Sequence, residues 1–141
     1  MAARGPGAVF MSPGEFDRLV EQAYKRIPAR FRKRLLNVAV TVEMEPSPSQ
    51  LARAGVSAGG TLLGLYEGRP LTRRSVFDTW AMPDRITIFQ GPHERMAQSP
   101  EHLLELVAAT VWHEVAHYFG MDEAQVRAAE RKARHAPPRR Y

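Results

Sequence analysis

No cysteine occurs in the 141-residue chain, which excludes a disulfide framework, a thiol nucleophile and any zinc site built on thiolates. A metal could be held only by His, Asp or Glu. No run approaches the roughly 18 apolar residues that a membrane-spanning helix needs. Met1 to Phe10 carries Gly and Pro where a secretion signal would have its apolar stretch. The expected location is therefore the cytoplasm. Internal repeats are also missing, and the length suits a single domain with one core. With 44% hydrophobic and 25% charged residues, the chain can bury that core without staples, so disorder of the whole chain is excluded.

The net charge of +5 invites a nucleic-acid reading, but its distribution matters more than its sum. From Ala124 to Tyr141 six cations, Arg127, Arg131, Lys132, Arg134, Arg139 and Arg140, face one carboxylate, Glu130. This stretch carries the whole excess, and residues 1–123 balance to zero. The expectation is a solvated basic tail, with phosphate contact as the alternative.

Residues 1–10 form an Ala-, Gly- and Pro-rich leader expected to be flexible. Ser12-Pro13-Gly14-Glu15 is a capping box that opens a helix, whose apolar stripe, Phe16, Leu19, Val20, Ala23, Tyr24 and Ile27, stops at Pro28. A basic stretch, Arg30 to Arg34, leads into a strand at Val38 to Glu43, and Pro46 to Ser49 ends it before a short turn of helix at Gln50 to Ala54. A second strand is expected over Thr61 to Tyr66, a loop with Trp80 over Leu71 to Asp84, and a third strand over Arg85 to Phe89, ended by Gly91-Pro92. Ser99 and Pro100 then cap a long helix running to Gly120, and a last helix spans Asp122 to about Arg134 before Pro137-Pro138.

The chemistry sits near the end of the long helix, in His113-Glu114-Val115-Ala116-His117. Histidines four apart project from one helical face, a spacing at which both imidazoles reach one tetrahedral ion. Glu114 leans to the flank of that face, from where a carboxylate can reach a water on the metal and act as general base. From this composition the five-residue pattern would arise by chance with probability roughly 0.01; adding Gly120 and the acid Glu123 at their offsets lowers that to on the order of 10⁻⁴. Gly120 can turn the chain sharply in the left-handed conformation and bring an acid back toward the metal. His93, His102 and His135 have no partner at metal spacing, and Tyr118 is expected to face the core or solvent.

The run His113-Glu114-Val115-Ala116-His117-Tyr118-Phe119-Gly120-Met121-Asp122-Glu123 resembles the small bacterial zincin-like metallopeptidases, whose extended motif is His-Glu-x-x-His-x-x-Gly-x-x-Asp. The likeness extends to Phe16–Val42, Pro46-Ser47-Pro48, Leu63-Gly64-Leu65-Tyr66-Glu67-Gly68 and Pro83-Asp84-Arg85-Ile86-Thr87-Ile88-Phe89. It implies an α+β minimal zincin fold: a small mixed β-sheet of about three strands packed on an active-site helix, with N- and C-terminal helices. The domain would cover residues 11–134, followed by the basic tail 135–141. The resemblance further implies Zn²⁺ held by His113, His117 and an acid, with Glu114 as the catalytic base and Gly120 as the structural turn. Glu123 stands where the family has aspartate, and Asp122 is the alternative third ligand. The implied activity is peptide-bond hydrolysis, the substrate lying along a strand edge at Arg85–Phe89 or Leu62–Tyr66. A different class of function is an inactive zinc-binding module whose basic tail contacts nucleic acid or an acidic partner.

Overall fold

The computed structural model describes residues 9–35, 37–57, 59–68 and 84–121, together with positions 124, 125, 127, 128 and 131. Helix α1, Pro13–Lys25, begins with the expected capping box: Ser12 Oγ accepts from Glu15 N–H, and the Glu15 carboxylate accepts from Ser12 N–H. Two of the helix's otherwise unpaired donors are satisfied in this way. Its inward stripe, Phe16, Leu19, Val20 and Ala23, is buried. A one-turn helix, α2 (Ala29–Arg32), interrupts the basic stretch before β1, Val38–Glu43. Helix α3, Pro48–Arg53, carries a second capping box, between Ser47 and Gln50. It starts two residues ahead of the expected turn because Pro48 takes the first helical position.

Strand β2 covers Gly64–Glu67 and β3 covers Asp84–Phe89. The sheet order is β1-β3-β2, with β1 parallel and β2 antiparallel to β3. The result is a three-stranded mixed sheet in a small α+β fold. Because β3 is central and hydrogen-bonded on both sides, Arg85–Phe89 is not an edge on which a peptide could add, which corrects one of the two expected docking edges. The expected loop around Trp80 lies outside the described residues, as do Asp122, Glu123 and most of the last expected helix.

Immediately after β3 comes α4, Gln90–Met96, and then α5, Pro100–Tyr118, capped by Ser99 Oγ accepting from His102 N–H. Helix α4 is not expected from the sequence. Its inward residues, Gln90, His93 and Glu94, are polar, so the apolar periodicity that marks a helix is absent. Those polar groups are satisfied internally. Glu94 accepts from Met11 N–H at 2.7 Å, and Gln90 donates to the Met11 carbonyl at 2.9 Å, tying the segment before α1 onto α4.

The core lies between the sheet and the α1/α5 pair and contains Phe16, Ile86, Ile88, Leu103, Val107, Val111 and Val115. Each such side chain contributes about 1.5–3 kcal/mol on burial. Helix α5 thus runs with one face in the core. No helix among the described residues is long and apolar enough to cross a membrane.

Candidate metal centre

On α5 the buried face continues from Leu103 and Val107 through Val111 and Val115, but two of its positions, Thr110 and Glu114, are polar. His113 and His117 stand on the flank of that face and are half-buried. Their Nε2 atoms converge to 3.2 Å. Two nitrogens bound at roughly 2.0–2.1 Å to one tetrahedral ion stand about 3.3 Å apart, so the separation matches that of two ligands on one ion, while as they stand the two rings are within hydrogen-bond distance of each other. Between them in sequence, Glu114 is only 6% exposed, and its Oε2 lies 4.0 Å from His117 Nδ1. Two imidazoles and a carboxylate therefore share one corner of the fold.

Among the described residues no third His, Asp or Glu completes a metal-holding group. The two candidates for that place, Glu123 and Asp122, lie outside them. The turn that leads toward them is well defined. Gly120 has φ of 71°, its N–H donates to the His117 carbonyl at 2.9 Å, and Met121 N–H donates to the Ala116 carbonyl at 3.0 Å. This pair of bonds is a Schellman motif, which ends α5 one residue past its cap and satisfies carbonyls that the helix leaves open.

Three residues that frame the site are not among the candidates the sequence offers. Gly64, the first residue of β2, passes directly over α5: a methyl group there would lie 2.6 Å from Thr110 Cγ2, 3.2 Å from Glu114 Cγ and 3.3 Å from the Thr87 carbonyl oxygen. A glycine inside the aliphatic run Leu62 to Tyr66 was the available signal, since such a glycine marks close approach of another element. Thr110 signalled itself as a polar residue at a core position one turn before Glu114. His93 gave no signal. It is fully buried, with Nδ1 2.7 Å from the Phe89 carbonyl and Nε2 2.9 Å from Thr110 Oγ1. Burial holds its imidazole below the ordinary histidine range, against the opposing pull of the Phe89 and Leu106 carbonyls.

The other flank of α5 is aromatic. Trp112 meets Phe31 edge-on at 5.3 Å and Phe31 meets Phe119 at 5.6 Å, which anchors α2 to the site helix. Tyr118 is fully buried, facing Tyr66 of β2 at 6.3 Å. It is part of the core. His102 Nδ1 accepts from Gln98 N–H at the start of α5, well away from the histidine pair; His135 lies outside the described residues.

A family model described as zincin-like metallopeptidase matches residues 35–133, a span that includes the histidine pair, Glu114 and both third-ligand candidates. Among solved structures, a conserved hypothetical protein from Thermo thermophilus is similar to this chain, at 24% identity and a TM-score of 0.52, covering 85% of this chain and 99% of its own. That likeness speaks for the fold. No curated protein matches.

Proposed function

Because the chain belongs to the zincin-like metallopeptidase family, we propose that it is a zinc-dependent peptidase in which Glu114 is the general base and His113, His117 and Glu123 hold the metal, with Asp122 the alternative third ligand. The observation that carries this reading is the convergence of the two Nε2 atoms at 3.2 Å beside a glutamate sunk into the same helix. Three protein ligands leave a fourth position open, as a catalytic rather than a closed structural site requires. A zinc ion, if held by those residues, would supply Lewis acidity toward a carbonyl and lower the pKa of water.

The protein's own part is positional. Glu114 takes a proton from the attacking water and returns it to the leaving amine. Its side chain is confined between Gly64 and the helix, so the carboxylate has few alternative places to go. Among the described residues β2 is paired on its β3 side only, and it crosses α5 at Glu114. An extended peptide adding to the outer edge of Gly64–Glu67 would pass the base with its main chain hydrogen-bonded, giving affinity with little demand on side-chain identity.

Metal content and turnover test this together. Wild-type protein purified without a histidine tag holds about one zinc per chain, His113→Ala holds none, and Glu114→Gln keeps zinc while losing most peptide cleavage. Equal turnover in Glu114→Gln and wild type overturns the mechanism. Zinc without cleavage of any peptide in the wild type assigns the site to a non-catalytic module.

A further inference from the structure

His93 is the fully enclosed histidine of the described residues, and its two ring nitrogens bridge different parts of the fold. The Phe89 carbonyl can only accept, so Nδ1 carries the proton at 2.7 Å. With the ring neutral in its buried setting, Nε2 is left as an acceptor, and the Thr110 hydroxyl 2.9 Å away donates to it. That hydroxyl has a single hydrogen, which lies within reach of both Nε2 and the Leu106 carbonyl, the latter at 3.0 Å. A valine or leucine would fill the same space without burying an imidazole, which is costly unless every polar atom is paired.

The contacts close a ring. Phe89 N–H donates to the Leu63 carbonyl at 2.9 Å, which fixes the residue just before Gly64. The carbonyl of the same Phe89 holds His93, His93 holds Thr110, and the Thr110 methyl packs against Gly64 beside Glu114. The spacing between β2 and α5 is thus set at the turn of helix that precedes the glutamate.

We infer that His93 is a positioning residue for this site, a two-ended strut between Phe89 and Thr110 that sets the gap between Gly64 and α5 in which the Glu114 side chain is held. The inference rests on the reading of Glu114 as general base, but the strut itself has a readout that needs no turnover. In the zinc-loaded protein, nuclear Overhauser contact between the Thr110 methyl and the Gly64 α-protons reports the gap directly, and ¹⁵N shifts of His93 report a neutral ring protonated at Nδ1.

His93→Leu removes the strut and Thr110→Val keeps the methyl while removing the hydroxyl; His93→Gln restores one donor and one acceptor. Expected in His93→Leu and Thr110→Val are a weakened Thr110–Gly64 contact and a kcat lower by about 10- to 100-fold, with KM within about twofold and zinc still bound, and in His93→Gln a return of most of the loss. Unchanged contact and unchanged kcat in both variants overturn the inference. Should His93→Leu fail to fold, Thr110→Val decides. Should the wild type bind zinc and cleave no peptide, the functional reading falls while the Thr110–Gly64 contact still decides the strut.

Discussion

Replacing Gly64 with alanine puts the close approach of β2 and α5 to a direct test. The added methyl would stand 2.6 Å from Thr110 Cγ2, whereas carbon atoms in contact settle at about 3.5–4.0 Å. Roughly 1 Å must therefore be absorbed by moving the strand or the helix. The contacts to Glu114 Cγ and the Thr87 oxygen, at 3.2 and 3.3 Å, need only slight adjustment. Overpacking of this kind costs about 1–3 kcal/mol. Alanine offsets about 0.4–1 kcal/mol of that by restricting the unfolded chain, since Gly64 is not in the left-handed region. The net expectation is a destabilisation of about 1–2 kcal/mol.

Thr110→Ser deletes the offending methyl and keeps the hydroxyl that meets His93. Alone it costs about 0.8 kcal/mol for one buried carbon. Combined with Gly64→Ala it relieves the clash, giving a favourable coupling of about 1 kcal/mol between the two sites. Urea unfolding of the four proteins at neutral pH, with the slope of free energy against urea shared among them, measures the cycle. A Gly64→Ala protein as stable as wild type, or a coupling below about 0.3 kcal/mol, would refute the packing argument.

Burial of His93 predicts an acid-sensitive fold. Its folded pKa lies below the ordinary 6.5, so the unfolded chain binds the proton more readily; stability is full above about pH 6.5 and falls by up to about 1.4 kcal/mol per pH unit below it, until the folded-state pKa is reached. Denaturation midpoints between pH 8 and 5 check this, and His93→Gln should flatten the profile. The Glu15 carboxyl, held low by its hydrogen bonds to Ser12, acts in a separate window, its contribution being lost as pH falls below its ordinary value of 4.5. Gly120→Ala places a side chain in the left-handed region at φ 71°, which costs about 1–2 kcal/mol. Because Asp122 and Glu123 follow directly, zinc affinity measured by competition with a chelator should fall with the melting temperature. Unchanged values in both measurements would remove Gly120 from the account.

Local signals were legible where one rule governed. Ser12 with Glu15 and Ser99 with Pro100 marked helix starts because capping is settled within four residues. The β-branched run Val38 to Val42 marked β1, and His113, Glu114 and His117 declared themselves by spacing along one helix. Where the sequence misled, two elements had to be seen together. Thr87 alternates with Ile86 and Ile88 as an outward residue would, yet it is fully buried, with Thr41 Oγ1 of β1 standing 3.4 Å from its own. Polar Gln90, His93 and Glu94 hid α4, since their partners Met11 and Thr110 lie far away in the chain. Gly64 stands unremarked inside the second strand, and only its crossing with α5 gives it a purpose.

The order β1-β3-β2 also governs how the molecule can come into being. Among the described residues neither edge strand pairs with the other, and both pair with β3, which comes last of the three in the chain. Partners across β1 and β3 are 46 residues apart, so no local hairpin can seed the β1–β3 half of the sheet. During synthesis the pairings of β1 and β2 with β3 must wait until Asp84 to Phe89 has left the ribosome. Such non-local pairings carry a loop-closure entropy that local ones do not, which slows folding relative to a purely helical bundle of similar size. The corner that holds the histidine pair is a late product as well, because the glutamate's confinement needs the sheet and a helix translated after all of its strands.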